Sequence, residues 1–267
     1  MSREKIDMTE GMRKGIYILP NLFTTGSLFA GFYGIVATMN GSYDTAALWI
    51  LISSIFDGLD GKVARLTGTT SKFGVEYDSL ADLVAFGVAP GLLMYAWALK
   101  PFGRLGWLAA FLFVVCGALR LARFNVQVNT VESKRFVGLP IPAAASMVSA
   151  TVLLFHHFGW PGSFKKLAIL ILIYLLAFLM VSNFRYYSFK DPELIKRQPF
   201  VFLVLAILLF IIIAAEPVVM LFVLFICYVF SGPVGYVMTY PRRRRLEKAL
   251  HREAKQNAAH DESRNEA

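Results

Sequence analysis

Cysteine is almost absent: there are two among 267 residues, Cys116 and Cys227. Both sit within apolar runs, FLFVVCGAL and LFICYVF, where they read as small buried hydrophobes. Neither a disulfide framework nor a cysteine metal cluster can be built from them. Charge is also scarce. Only 17% of residues are charged, against about 25% in an ordinary soluble domain. There is no internal repeat, no hydrophilic domain, and no short h-region followed by a small-residue cleavage site after the mixed-charge start MSREKIDMTEGMRKG. The first apolar run therefore reads as a retained membrane helix.

What is present is apolar surface in long runs. Hydrophobic residues make up 57% of the chain and the mean hydropathy is +0.56. Disordered and collagenous classes are excluded. About 20 apolar residues cross ~30 Å of hydrocarbon as a helix. Eight segments approach that length, at 17–39, 43–65, 77–99, 105–125, 139–160, 164–182, 199–214 and 217–239. The expected fold is an all-α, polytopic transmembrane helical bundle of about eight spans. The last two spans are parted only by the turn at Glu216-Pro217, where a re-entrant hairpin would read alike. Three regions follow: an N-terminal segment 1–16, a transmembrane domain 17–239, and a basic tail 240–267.

The net charge of +9 has a topological explanation. Basic residues crowd one set of connections: Arg13, Lys14, Lys62, Arg65, Lys72, Arg120, Arg123, Lys134, Arg135, Arg185, Lys190, and the run Arg242–Arg245. The opposite connections hold few, such as Lys100, Arg104, Lys165 and Lys166. By the positive-inside rule both termini are cytoplasmic. Nucleic acid need not be invoked, and none is expected as a partner. The tail RRRRLEKALHREAK suits an anionic leaflet or a stop-transfer anchor.

Four aspartates stand out against this background. Asp57 and Asp60 lie three apart, and Asp78 and Asp82 four apart. Either spacing places a pair on one helix face. Two antiparallel helices with a short connection would bring the faces together. An ionisable group in a membrane segment is costly and marks function. Four carboxylates in one place repel, and divalent cations relieve that repulsion. Hard oxygen donors suit Mg²⁺ or Mn²⁺ rather than zinc. Gly58, Gly61 and Gly74 let a ligand approach the backbone. Ala64 is small and shares the face of Asp57 and Asp60, while Arg65 can hold a phosphate. The bland alternative is a set of helix-end aspartates paired with Lys62, Arg65 and Lys72.

The pattern D-x2-D-G-x2-A-R-x8-G-x3-D-x3-D is filled by Asp57, Asp60, Gly61, Ala64, Arg65, Gly74, Asp78 and Asp82. It resembles the signature of the CDP-alcohol phosphotransferase family. That resemblance implies a pair of divalent cations held with the CDP diphosphate by Asp57, Asp60 and Asp78. It implies Asp82 as the general base, lying at the metal site, that deprotonates the acceptor hydroxyl. The implied donor substrate is CDP-diacylglycerol, bound around Gly58, Gly61, Ala64, Arg65 and Gly74. Four further stretches resemble the bacterial phosphatidylserine synthase branch: LPNLFT at Leu19–Thr24, RLARFN at Arg120–Asn125, FVGLPIPAAA at Phe136–Ala145 and VSNFRYYSFK at Val181–Lys190. They imply L-serine as acceptor, a bacterial cytoplasmic (inner) membrane location with the site at the cytoplasmic face, and a homodimer.

Serine brings a carboxylate, which needs a cation. Arg120 and Arg123 offer bidentate donors for it, with Asn125 nearby. Anchoring at the membrane surface and binding of CDP phosphates are their alternative roles. Asn21 and Thr24 are assigned to the cytidine or to a neighbour of the metal site, with helix capping as the alternative. Pro140 and Pro142 start the fifth helix. His156 and His157 fall on the far side as interfacial residues, Glu216 has no evident partner, and the many phenylalanines form lipid-facing and packing surface. A phosphorylated acceptor, glycerol 3-phosphate or an inositol phosphate, is the alternative within the fold. A cation-coupled transporter is the alternative outside it, although transporters place carboxylates nearer the bilayer midplane.

Overall fold

The computed structural model describes residues 3–68, 71–128, 136–159, 165–186, 207 and 215–237. Helices occupy seven of the eight expected positions. They are α1 (Arg3–Met39), α2 (Tyr43–Thr67), α3 (Lys72–Phe102), α4 (Arg104–Val128), α5 (Ile141–His157), α6 (Lys165–Val181) and α7 (Pro217–Val237). The expected span 199–214 lies outside the described residues apart from Ile207, as does the tail from residue 238. Within α1, α3, α4 and α7 lie stretches long and apolar enough to cross a membrane. Helices α5 and α6 are apolar but shorter. Helix α2 has the length but carries Asp57, Asp60, Lys62 and Arg65 in its last turns, and those charges lower its hydropathy.

Two boundaries differ from expectation. Helix α1 begins at Arg3 rather than near residue 17, and continues through Pro20. Helix α3 starts at Lys72 rather than 77, because Ser71 caps it: its Oγ accepts the Gly74 N–H at 3.0 Å. Pro140 precedes α5 and Pro142 lies in its first turn, as expected.

Helix α3 is not uniformly α-helical. A π-helical turn covers Leu83–Val88, directly after Asp82, and a second covers Tyr95–Leu99. In the first, the Ala89 N–H bonds the Val84 carbonyl, five residues back. Pro90 follows, and with no N–H it cannot continue the ordinary ladder. Such turns insert locally into α-helices and re-aim the side chains beyond them. The turn is also where α1 comes closest. A Cβ on Gly31 would stand 2.5 Å from the Ala85 Cα, so α1 and α3 meet backbone to backbone.

The core gathers Ile50, Phe86, Leu93, Met94, Phe113, Ile141, Met147 and Ile173 from α2 to α6. Helix α1 packs mainly on α2, α4 packs on α3 and α6, and α2 also packs on α5. Phe29, Phe111, Ile171 and Phe178 are exposed, as a hydrocarbon-facing surface requires. A two-residue antiparallel pair, β1 (Phe136–Val137) with β2 (Arg185–Tyr186), ties the entry of α5 to the exit of α6. Gly138 turns there with φ +82°, and a Cβ would collide with the Met180 carbonyl.

Two minor expectations are corrected. Cys116 is buried, but Cys227 is exposed, since α7 offers little of its surface to the bundle. Glu216 does have a partner: His157 Nε2 lies 3.7 Å from its carboxylate. That is the sole ion pair among the described residues, and it joins α5 to α7 at the end remote from the aspartates.

Candidate active site

The short α2–α3 connection brings the two aspartate pairs together. Carboxylate oxygens of Asp57, Asp60 and Asp78 lie within 4.8 Å of one another. Asp60 is 5% exposed, and its Oδ2 accepts the Thr24 hydroxyl at 2.9 Å. Thr24 also donates to the Pro20 carbonyl at 3.2 Å. It therefore sits inside α1 and acts as a support for Asp60, which removes the capping alternative. One turn further on, Ser27 and Ser53 hydroxyls meet at 2.8 Å and lock α1 to α2.

Asp82 is not one of the close three, but its carboxyl lies in the electrostatic range of Asp57, Asp78 and Asp60. Among the described side chains no Lys or Arg comes within 4.0 Å of any of the four carboxylates. The reading of helix-end aspartates paired with Lys62 or Lys72 therefore fails, while the Arg65 side chain lies outside the described residues. Hard oxygen donors, close together and with no Lys or Arg within 4.0 Å among the described side chains, fit Mg²⁺ or Mn²⁺.

Around Gly58 nothing lies within 4 Å of where a Cβ would be, so that face of α2 is open. At Gly74 a Cβ would stand 3.1 Å from Ser71 Oγ and 3.4 Å from Asn21 Oδ1. The missing side chain lets Asn21 approach the start of α3, which brings two of the sequence-derived donor-site residues together. Gly61 and Ala64 are half-buried on α2.

The two arginines part company. Arg120 is 9% exposed and lies in the electrostatic range of Asp82, Tyr228 and Asp57. Its Nε is buried without a hydrogen-bond partner. Arg123 instead points its Nη2 to Asn183 Oδ1 at 2.9 Å, on the stretch after α6. Asn125 Nδ2 donates to Ser79 Oγ at 2.9 Å, beside Asp78. Asn183 and Tyr228 were not singled out from the sequence. Asn183 sits in VSNFRYYSFK, so a resemblance pointed to its segment, whereas nothing marked Tyr228 within an apolar run.

Comparison with known proteins follows the same lines. Residues 17–181 match the family model for CDP-alcohol phosphatidyltransferases. A CDP-diacylglycerol–serine O-phosphatidyltransferase of Helicobacter pylori is 49% identical over 179 residues, 67% of this chain and 75% of that protein. The enzyme of the same name from Methanocaldococcus jannaschii is 40% identical over 159 residues, 59% of this chain and 69% of that one. An archaetidylserine synthase of Methanothermobacter thermautotrophicus is 38% identical over 170 residues, covering 63% and 69%.

Proposed function

This chain belongs to the CDP-alcohol phosphatidyltransferase family, and from that membership we propose that it is an integral membrane enzyme making phosphatidylserine. It transfers a phosphatidyl group from CDP-diacylglycerol to the hydroxyl of L-serine and releases CMP. The observation that carries the chemistry is the close triple Asp57, Asp60 and Asp78 with Asp82 beside it. The choice of serine rests on the relatives whose names carry that acceptor.

The donor's diphosphate lies at the triple, with Asn21, Gly58, Gly61, Ala64, Arg65 and Gly74 around it, and its acyl chains stay in the bilayer. Asp57, Asp60 and Asp78 would hold divalent cations, Mg²⁺ or Mn²⁺, which would supply charge neutralisation for the diphosphate and the departing CMP. Asp82 takes the proton from the serine hydroxyl, because a neutral hydroxyl is a poor nucleophile. The hydroxyl oxygen then bonds to the phosphatidyl phosphorus as the bond from that phosphorus to the CMP oxygen breaks. Arg120 holds the serine carboxylate, Asn125 lines the same side through Ser79, and Arg123 braces the rim through Asn183.

The reading includes a cytoplasmic-membrane location with both termini and the site on the cytoplasmic side, a single catalytic unit over 17–239 with a basic tail, and a homodimer. The basic residues gathered at the aspartate end support this orientation.

Enriched membranes supplied with CDP-diacylglycerol, Mn²⁺ and labelled L-serine are expected to yield labelled lipid and an equal amount of CMP. Chelation is expected to stop the reaction and added Mn²⁺ or Mg²⁺ to restore it. Label transferred only from glycerol 3-phosphate or an inositol phosphate would move the assignment to those acceptors. Uptake that needs a sealed gradient, without CMP release, would overturn it.

The geometry also ranks the arginines. Arg120→Ala is expected to raise the serine KM by about 100-fold, the scale of a lost charged hydrogen bond in a buried site. Arg123→Ala, which loses a rim contact, is expected to change it by less than about ten-fold. Saturation curves for each substrate decide this, and equal effects on serine and CDP-diacylglycerol would count against the carboxylate role.

A further inference from the structure

Two cavities open at the end of the bundle remote from the aspartates, and the proposed reaction uses neither. They measure about 320 and 230 Å³ and share Asp44 and His156 as walls. Besides Asp44, the larger is walled by Tyr43, Trp97 and Phe155, and all four side chains are half-buried. Gly41 and Gly159 lie at its edge, and nothing stands within 4 Å of a Cβ on either, so its mouth is open. The smaller is lined by Leu48, Leu153 and Val218. Leu48 is 50% exposed, so this cavity runs out onto the lipid-facing surface.

Contacts between helices hold the aromatic walls in place. Trp97 lies in the second π turn of α3, Tyr95–Leu99, well away from Asp78 and Asp82. Such turns re-aim side chains and recur at functional sites. Here the Trp97 ring meets that of Phe155 on α5 edge to face, with centroids 5.8 Å apart at 73°. Tyr43, the first residue of α2, donates its hydroxyl to the Ala96 carbonyl of the same turn at 3.4 Å.

The charge in this frame is a carboxylate. Asp44 follows Tyr43 in the first turn of α2, and among the described side chains no Lys or Arg lies within 4.0 Å of it. A metal ion is a poor fit, because among the described residues only Asp57, Asp60 and Asp78 gather three ligand atoms closely enough. A carboxylate among aromatic rings suits an organic ammonium, which is drawn to ring faces as well as to opposite charge. His156 stands between the cavities, where an imidazole N–H can donate to a phosphate. Beyond it the walls are apolar. Ammonium, phosphate and hydrocarbon in that order describe a phospholipid. A headgroup with a carboxylate of its own would set that anion against Asp44, so the ligand is one whose only anion is its phosphate.

We propose that the remote ends of α2, α3 and α5 form a binding site for a phospholipid with an ammonium headgroup. The ammonium sits among Asp44, Tyr43, Trp97 and Phe155, the phosphate at His156, and the start of an acyl chain along Leu48, Leu153 and Val218. On the orientation proposed above, the lipid belongs to the non-cytoplasmic leaflet. The site does not depend on which alcohol the enzyme uses.

The full chain in maltoside micelles is titrated with phosphatidylethanolamine, its N-acetyl derivative or phosphatidylglycerol, all with the same acyl chains. Native mass spectrometry counts the bound lipid, and free ethanolamine serves as a competitor. Phosphatidylethanolamine is expected to bind about ten-fold more tightly than either lipid that lacks the ammonium. Asp44→Asn is expected to erase that preference, Asp44→Glu to keep most of it, and Trp97→Leu to weaken phosphatidylethanolamine binding about ten-fold. Turnover in each variant is expected to stay within about two-fold of the unmodified protein, which also reports folding. Equal affinities for the three lipids, or a preference that survives Asp44→Asn, would overturn the proposal. Free ethanolamine that binds as tightly as the lipid would overturn it in favour of a soluble amine. The ranking of lipids on the unmodified protein needs no variant, so it decides the matter even if one fails to fold.

Discussion

Asp82→Asn is expected to lower turnover by about 10³-fold, the middle of the range for removing a general base, while CDP-diacylglycerol binding stays within a few-fold. Asparagine has the shape of aspartate, but it cannot accept a proton from serine. Asp82 closes the first α-helical stretch of α3, immediately before the π turn at Leu83–Val88. Its backbone is set by that turn and by the packing of Gly31 on Ala85, and the substitution leaves both untouched. Initial rates of labelled-serine incorporation, alongside equilibrium binding of a CDP-lipid in the presence of Mn²⁺, separate the two effects. A variant that retained even a tenth of the rate would remove Asp82 from the role of base.

Asp60→Asn is expected to fail earlier in the cycle. Asp60 is the most buried of the close three, and it is held by Thr24 from another helix. Replacing a carboxylate oxygen with an amide nitrogen removes both a negative charge and a hard donor, and it disturbs a position that Thr24 has fixed. Even groups that only orient metal ligands cost 10–100-fold in metal affinity or activity when removed, so a ligand itself is expected to cost at least about 100-fold. The readout is Mn²⁺-dependent binding of the CDP-lipid, followed by titration with Mn²⁺ in the absence of acceptor. The lost affinity should not return at saturating serine. Normal Mn²⁺-dependent binding would mean that the triple does not hold metal.

These two variants divide the aspartates by use, and that division was partly legible beforehand. Spacings of three and four residues placed Asp57 with Asp60 and Asp78 with Asp82 by helix geometry alone. The short connection after Thr67 then allowed only neighbouring, antiparallel helices. Local information of that kind survives in sequence. The π turns do not: Gly87 and Pro90 permit them, yet nothing in the hydrophobic period reveals an inserted residue. The support of Asp60 by Thr24 joins residues 36 apart in the chain, so it required the packing of α1 on α2. The arginines illustrate the same limit. Arg120 and Arg123 lie on adjacent parts of one face of α4, and spacing suggested a joint role. A distant residue, Asn183 after α6, takes Arg123, while Arg120 is buried with its Nε unpaired among the described residues. Tyr228 was hidden for a different reason. In an apolar span an aromatic residue ordinarily faces lipid or core, and only its ring contact with the buried Tyr186 distinguishes this one.

Helix α1 is keyed at three heights: Thr24 to Asp60, Ser27 to Ser53, and Gly31 to Ala85. Because these keys engage both α2 and α3, tilting α1 would drag the four aspartates out of register with one another. It is the stator of the machine. A two-tailed lipid must nonetheless slip in sideways and leave again, so the breathing that admits it falls to the helices bound by fewer such keys.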